Sequence, residues 1–433
     1  MSLTNALFSS VSGLNTASTQ ISVIGDNIAN ASTPGFKEKR AEFSAVLGQS
    51  ITAGSGFAQV GAGVLVNDIG TIFTQGVFET TQRPTDLGIS GKGFFVLEGS
   101  MGRSYTRSGI FGFDKEGFLV DPNGNRLQGY GIDSNTGEAN GALGDIQVNL
   151  PLSPPKATES VELGMNLDAG ADVIVGGFDP ANAEGTANAQ VTVSMYDSLG
   201  LERPMTVFFT KTSANEWEFN LTLPEGEAAP ATRTGNPFVV QGTGTLTFND
   251  VSGNLETISA TDFELQLDVS NGAASPQSFE FSMGPADNYL STGPVTTQFT
   301  SDTVTNFQNQ DGFRPGTLSA LDFNVDGKLV GVFTNGETTS LAQIALANFG
   351  NVEGLSEVGR SQVIESVESG PPVIAAANSG NMGSIRSNSL EKSNVDLAQQ
   401  FVNLIVSQRA FQANTRTVSV ANELMANLVA LGQ

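Results

Sequence analysis

LTNALFSSVSGLNTASTQISVIGDNIANASTPG, residues 3–35, spaces Leu7, Leu14, Ile21 and Ile28 seven apart. Leu3, Ala17, Ile24 and Ala31 lie four residues before or three after them, with Ser10 the weak member. Apolar residues at these intervals line one side of a helix and form the a/d seam of a coiled coil. Pro34-Gly35 ends the segment, because proline has no N–H for the helical ladder and keeps its predecessor out of the helical region. The other end of the chain answers it. Leu390, Leu397, Leu404, Phe411, Val418 and Met425 also fall seven apart, Phe401 and Val429 widen the stripe, and Gln408, Thr415 and Asn422 interrupt it. Ser393 or Asn394, ahead of Asp396 and Leu397, is the expected N-cap, with Gly432 at the far end.

The faces away from these stripes are polar but almost uncharged. Asp26 is the only charge in residues 1–33, and residues 393–433 carry Asp396, Arg409, Arg416 and Glu423. A helix with a wet face ordinarily carries Lys and Glu there, whereas Asn, Gln, Ser and Thr suit burial against other polypeptide. Gly13 and Gly25 each cost about 1 kcal/mol relative to alanine. A narrow stripe with such defects does not hold a lone helix in water. The expectation is that the two ends meet as paired helices inside a polymer, ordered by neighbouring subunits. The polymerisation seam expected from the spacing is Leu3, Leu7, Leu14, Ile21, Ile24 and Ile28 against Leu397, Phe401, Leu404, Phe411, Val418 and Met425.

Inward from the ends the periodicity changes. Gly93-Phe94-Phe95-Val96-Leu97 reads as a buried strand, followed by turn clusters at Asp114-Lys115-Glu116-Gly117 and Asp121-Pro122-Asn123-Gly124. Asp326-Gly327-Lys328-Leu329-Val330, closing at Asn335-Gly336, repeats the phrase, so two hairpins of one β domain are expected from distant segments. Pro151, Pro154 and Pro155 introduce an insertion in which apolar residues alternate at Val191/Val193/Met195, Trp217/Phe219/Leu221, Leu246/Phe248 and Phe263/Leu265/Leu267. That period of two belongs to antiparallel strands with one wet face. Residues 156–300 hold 4 basic and 19 acidic residues, most of the excess behind the net charge of -24, which places the insertion on the outside.

The expected fold is therefore α+β and mostly β, a nested multi-domain subunit. Residues 1–33 and 390–433 form the helical coiled coil. Residues 34–84 and 364–389 connect it to an inner β domain of residues 85–155 and 301–363. Residues 156–300 form an outer acidic, antiparallel β domain.

Composition narrows the chemistry. The 433 residues include no His and no Cys, which excludes Cys/His zinc sites, Ser-His-Asp triads, cysteine nucleophiles and disulfides. The acidic balance disfavours nucleic acid and anionic membrane as partners, and no apolar run is long enough to insert into a membrane. Residues 1–30 lack both Lys/Arg and a continuous apolar block, so no cleaved signal peptide is expected. Asp322, Asn324, Asp326 and Gly327 match the first half of a calcium loop, but its twelfth position is Phe333, and a hairpin turn is the simpler reading. Gly91-Lys92 and Gly61-Ala62-Gly63 lack the partners of phosphate and dinucleotide loops, and Glu216/Glu218 and Glu225/Glu227 read as solvated carboxylates. No catalytic residue, metal ligand or cofactor is expected.

Asn27-Ile28-Ala29-Asn30-Ala31-Ser32-Thr33-Pro34-Gly35-Phe36-Lys37 resembles the N-terminal signature of the bacterial flagellar rod, hook and hook-associated axial proteins. Asn394-Val395-Asp396-Leu397 with Gln408-Arg409-Ala410-Phe411-Gln412-Ala413-Asn414 is similar to the matching C-terminal signature. Thr85-Asp86-Leu87-Gly88-Ile89-Ser90-Gly91-Lys92-Gly93-Phe94-Phe95, Tyr105-Thr106-Arg107-Ser108-Gly109, Ala345-Leu346-Ala347-Asn348-Phe349 and Gly354-Leu355 resemble the hook and distal-rod branch. The large insertion points to the hook side of that branch, with a distal rod or hook-associated subunit as the second reading. The resemblance implies a homo-polymer forming a tubular universal joint that passes torque from rod to filament, with the terminal coiled coil lining the tube. It also implies export through the flagellar type III apparatus, an extracellular place in the flagellum, and a rod protein, a hook cap protein and a hook–filament junction protein as partners.

Overall fold

The computed structural model describes residues 3–47, 50–53, 56–59, 61–100, 102–133, 137–148, 152–268, 271–284 and 295–431. The fold is α+β and mostly β, with one long helix at each end, α1 (Leu3–Ala29) and α2 (Leu397–Leu431). The chain divides into two compact units. Unit 1 holds Met1–Asn149, Ala320–Val332 and Thr338–Gln433; unit 2 holds Leu150–Ser319 and Phe333–Glu337.

In unit 1, α1 packs along α2 of the same chain. The sequence reading of Gly13 as a weakness is corrected by what lies opposite it. A Cβ there would meet Asn414 Nδ2 at 2.8 Å, so the glycine lets the two helices approach, while Gly25 faces open space. Low helix propensity at Gly13 is exchanged for close packing, which propensity alone does not register. Asp396 caps α2, its Oδ1 accepting Ala398 N at 2.8 Å. Asn394, one of the expected caps, is used elsewhere. After α1 the chain forms a two-stranded antiparallel ribbon, Lys39–Ala45 with Val64–Thr71.

The sheet of unit 1 runs Lys328–Phe333, Thr338–Asn348, Arg126–Ile132, Phe94–Gly99, Gly102–Thr106, Gln362–Ile364 and Ser356–Gly359. The distant hairpins meet here, with Leu346 opposite Phe95. Phe94 to Leu97 are buried on both faces: Phe95 and Leu97 join Leu127, Leu329 and Ile344, while Phe94 and Val96 join Tyr105 and Phe349. This explains a continuous apolar run in place of alternation. The would-be calcium loop is a hairpin turn, with Asn324 Oδ1 accepting Lys328 N and Gly327 at φ 71. Among the described residues no group of acidic side chains is arranged to hold a metal ion.

Unit 2 contains a five-stranded antiparallel sheet, Ala189–Tyr196, Glu202–Ser213, Glu216–Pro224, Phe238–Phe248 and Leu255–Ile258. A second sheet is mixed. Ser160–Asp168 pairs in parallel with Gln277–Ser282 and Thr297–Phe299 and antiparallel with Val304–Gln310. The expectation of antiparallel pairing holds for the first sheet; the parallel pairs of the second join segments too far apart in sequence for a hairpin turn. Alternating residues fill the core, Trp217, Phe219 and Leu221 against Phe263 and Phe281. Trp217 is fully buried and donates its Nε1–H to Gln298 Oε1 at 2.9 Å.

Two carboxylates give unit 2 an acid sensitivity. Burial would raise Asp197, but hydrogen bonds from Asn271, the Leu201 and Leu199 amides and Arg203 outweigh it and hold its pKa below 3.8. Asp311 behaves alike, with burial outweighed by Lys156 and the Ser160 and Glu159 amides. A depressed folded pKa contributes stability above the unfolded value that is lost as pH falls through the folded one. The urea midpoint of unit 2, read by Trp217 fluorescence, is therefore expected to fall between pH 6 and pH 3. An unchanged midpoint would refute the assignment.

Candidate functional site

The segments flanking the two helices are tied together by a buried polar clamp. Each tie uses a side chain that its own segment leaves unsatisfied. Asn27, in the last turns of α1, is buried; its Oδ1 accepts Lys39 N at 2.9 Å and its Nδ2 donates to Lys39 O at 2.8 Å. The amide thus pairs with the backbone at the start of the ribbon as a neighbouring strand does. Asn27 Nδ2 also reaches Gln400 Oε1 of α2 at 3.4 Å, and Gln400 Nε2 donates to Glu38 Oε1 at 2.7 Å. Asn394 Oδ1 accepts Glu38 N at 2.7 Å, while its Nδ2 donates to Ile72 O and Thr74 Oγ1. Buried polar groups have to be paired in this way, since each one left open costs about 1–3 kcal/mol.

At the centre lies Glu391, whose side chain is fully buried. Its Oε1 accepts Lys37 Nζ at 2.6 Å and Gly76 N at 2.8 Å, and its Oε2 faces Arg107 Nη1 at 3.4 Å. Lys37 also donates to Thr74 O, and Arg107 Nη2 donates to Gly91 O at 2.9 Å. The Arg107 guanidinium stands 5.2 Å from the Phe94 ring centre. Burial pulls the Lys37 pKa below its ordinary value, with Glu391 restoring part of it and Arg107 opposing. Burial lowers Arg107 too, against the pull of Glu391. Two cations share one carboxylate in a low-dielectric site, so each depends on Glu391. Two glycines admit the close backbone approaches. Gly35 sits at φ 72 with a would-be Cβ 2.5 Å from Ser108 N, and a Cβ on Gly76 would lie 2.0 Å from Lys392 O.

The clamp gathers many of the signature residues. Asn27, Gly35 and Asn394 belong to it directly, Gly35 N donating to Glu391 O at 2.7 Å. Thr33 Oγ1 donates to Asn30 Oδ1, and Asn30 Nδ2 donates to Asp26 O, closing the end of α1. Phe36 lies 5.9 Å from the Lys39 ammonium, Pro34 and Val395 are half-buried, and Asp396 caps α2. Gln408 and Arg409 are exposed. Sequence reasoning missed Glu391, Gln400 and Glu38. Lys37 and Arg107 were visible only as letters of the signature, because their partners lie far away in sequence.

The seam residues divide. On α1, Ile24 is buried and Leu7, Leu14, Ile21 and Ile28 are half-buried; Leu3 lies in the helix, its side chain outside the described residues. On α2, Leu404, Phe411 and Val418 are half-buried beside Gln400, Ser407 and Ala421, which are buried. Leu397, Phe401 and Met425 are 44%, 51% and 43% exposed. Val402, Ile405, Val406, Val420 and Leu424 are exposed on the side of α2 that carries Phe401, so α2 keeps an apolar face that the other described residues do not cover, while Met425 follows Val418 on the paired stripe.

Four family profiles match successive parts of the chain. They are described as Flagella basal body rod protein (residues 7–37), Flagellar hook protein FlgE/F/G D1 domain (88–165), Flagellar basal body protein FlaE D2 domain (166–313) and Flagellar basal body rod FlgEFG protein C-terminal (386–431). The chain is 34% identical to the flagellar hook protein FlgE of Borreliella burgdorferi over 455 residues, covering 98% of this chain and 99% of that one. It is 35% identical to FlgE of Salmonella typhimurium over 97% of this chain and 98% of that one. FlgE of Escherichia coli is 33% identical over 98% and 100%. Among solved structures, the Helicobacter pylori flagellar hook protein FlgE2 shares the fold, with a TM-score of 0.51 and 14% identity over 72% of this chain and 100% of that one.

Proposed function

The chain belongs to the flagellar hook protein family, and on that premise we infer that it works as a non-enzymatic, self-assembling joint. It is a structural subunit of the bacterial flagellar hook. The observation that carries the assembly reading is the uncovered apolar face of α2, in a helix whose only charges are Arg409, Arg416 and Glu423. Contiguous apolar surface of this kind marks a protein interface. Its neighbours in the polymer would be further copies of the same helices, so the seam proposed for assembly is Leu397 and Phe401 on α2, with Met425 extending the paired stripe beyond Val418. Leu404, Phe411 and Val418 would serve the pairing with Leu7, Leu14, Ile21, Ile24 and Ile28 inside each copy.

The proposed division of work follows from the chemistry of the parts. Dry helical contacts would resist torque, because a close-packed apolar interface does not repack at low cost. Acidic, hydrated contacts from residues 156–300 would slide as the tube bends. A rod protein, a hook cap protein, a hook–filament junction protein and the type III export apparatus are the proposed further partners. Export would proceed without a cleaved signal peptide. No described helix is long and apolar enough to cross a membrane.

Electron microscopy of the purified, concentrated chain tests the reading. Curved tubes are expected. Straight tubes would favour the rod alternative, and particles that stay monomeric at every concentration would overturn self-assembly.

A further inference from the structure

Beside the clamp, unit 1 contains a cavity of about 300 Å³. Its apolar lining includes Phe73, Phe94 and Tyr105, its cations include Lys39, Arg107 and Arg360, and the carboxylates Asp26 and Glu357 line it as well. The charges do not balance inside the chain. Arg107 shares Glu391 with Lys37, and its Nε is buried with no hydrogen-bond partner. Lys39 is held at 2.6 Å by Glu357 and at 3.5 Å by Asp26. Arg360 is exposed and has no ion pair among the described residues.

The position of Arg360 is held against its backbone preference. The hairpin Ser356–Gly359 with Gln362–Ile364 turns through Arg360 and Ser361, at φ 57 and φ 58. A two-residue turn with both φ positive ordinarily uses Asn-Gly, and a side chain such as arginine is strained there. Thr106 Oγ1 donates to Ser361 O at 2.7 Å and pins the turn over the cavity. Strain maintained by the surrounding structure is a mark of a functional position.

We propose that this cavity receives an acidic side chain from a second copy of the chain, with Arg360 as the recognising cation and the aromatic lining taking the aliphatic stem. The proposal rests on the polymer reading above. The space holds one or two side chains and no folded element. A surplus of positive charge within a chain of net charge -24 makes a carboxylate of another copy the complementary occupant. Such a contact ties the base of one copy's terminal helices to its neighbour at the point where α1 leaves for the β domain.

The test uses the full chain with Arg360→Asn, which tolerates positive φ and removes the charge. Polymerisation is followed by light scattering across a salt series, and thermal melting of the monomer is measured alongside. The expected result is a critical concentration raised roughly tenfold at low salt, the gap narrowing as salt screens the pair, with melting unchanged. Polymers from an equal mixture of ¹⁴N and ¹⁵N chains are then treated with a carbodiimide. A mixed-isotope link between Lys39 and an acidic peptide, lost in R360N, supports the assignment. Only same-isotope Lys39–Glu357 links, with R360N polymerising as the natural chain does, would overturn it while leaving the polymer reading intact. A natural chain that never polymerises overturns both.

Discussion

Glu391→Ala is expected to lower the stability of unit 1 by about 3–5 kcal/mol, the usual range when one partner of a buried ion pair is removed. Among the described residues the substitution deletes the only carboxylate paired with Lys37 and Arg107, whose side chains are 5% and 10% exposed. It also removes the acceptor of Gly76 N. Two cations would then face each other in a largely buried site, with backbone carbonyls and, for Arg107, the Phe94 ring as their partners. Glu391→Gln keeps the shape and one acceptor oxygen but not the charge, and should fall between the two. Urea unfolding followed by circular dichroism reads the loss. Trp217 fluorescence serves as the internal control, since that residue sits in unit 2. Coincident, unshifted dichroism curves for natural and E391A chains would show that the clamp is not what holds unit 1.

Phe401→Asp should abolish polymerisation and leave the monomer intact. Phe401 is 51% exposed and sits on the uncovered face of α2. Exposed substitutions of this kind change folding stability by about 0.5 kcal/mol or less. On the proposed seam the same position becomes buried in the polymer, so assembly would lose the aromatic burial, about 1.5–3 kcal/mol, and would also have to bury a carboxylate without a partner. At 1.4 kcal/mol per factor of ten, the critical concentration should rise on the order of a hundredfold or more. Leu404→Asp is the contrasting variant. Leu404 is half-buried in the helix that packs along α1, so the substitution should impair assembly and also loosen the pairing of the helices within each copy. Sedimentation of polymer and thermal melting of monomer separate the two effects. If F401D assembles at the natural concentration, the face of α2 assigned to the interface is the wrong one.

Much of this architecture was open to reading without coordinates. Heptad spacing at both ends identified α1 and α2, because a helix must repeat its apolar positions every three to four residues whatever surrounds it. The strand from Phe94 to Gly99 and the turns at Asp114 and Asp121 were legible for the same local reason. The glycines at φ 83 and φ 84 and the aspartates accepting backbone amides act within a few residues of themselves. Asn394 was a harder case. Its type and place suited a helix cap, yet Asp396 takes that role while Asn394 bridges Glu38 and Ile72. A short polar side chain serves either purpose, and only its neighbours in space choose between them.

From sequence alone it follows that the ends are helices, the middle is β, and the chemistry of histidine and cysteine is absent, since these depend on residue type and near neighbours. Tertiary structure alone decided that Gly13 is a contact with Asn414, that Leu404 is half-buried while Phe401 is exposed, and that Lys37 finds its counterion in a residue 354 positions away. A buried charge is stabilised by whatever lies within a few ångströms, and sequence distance carries no information about which residue that is.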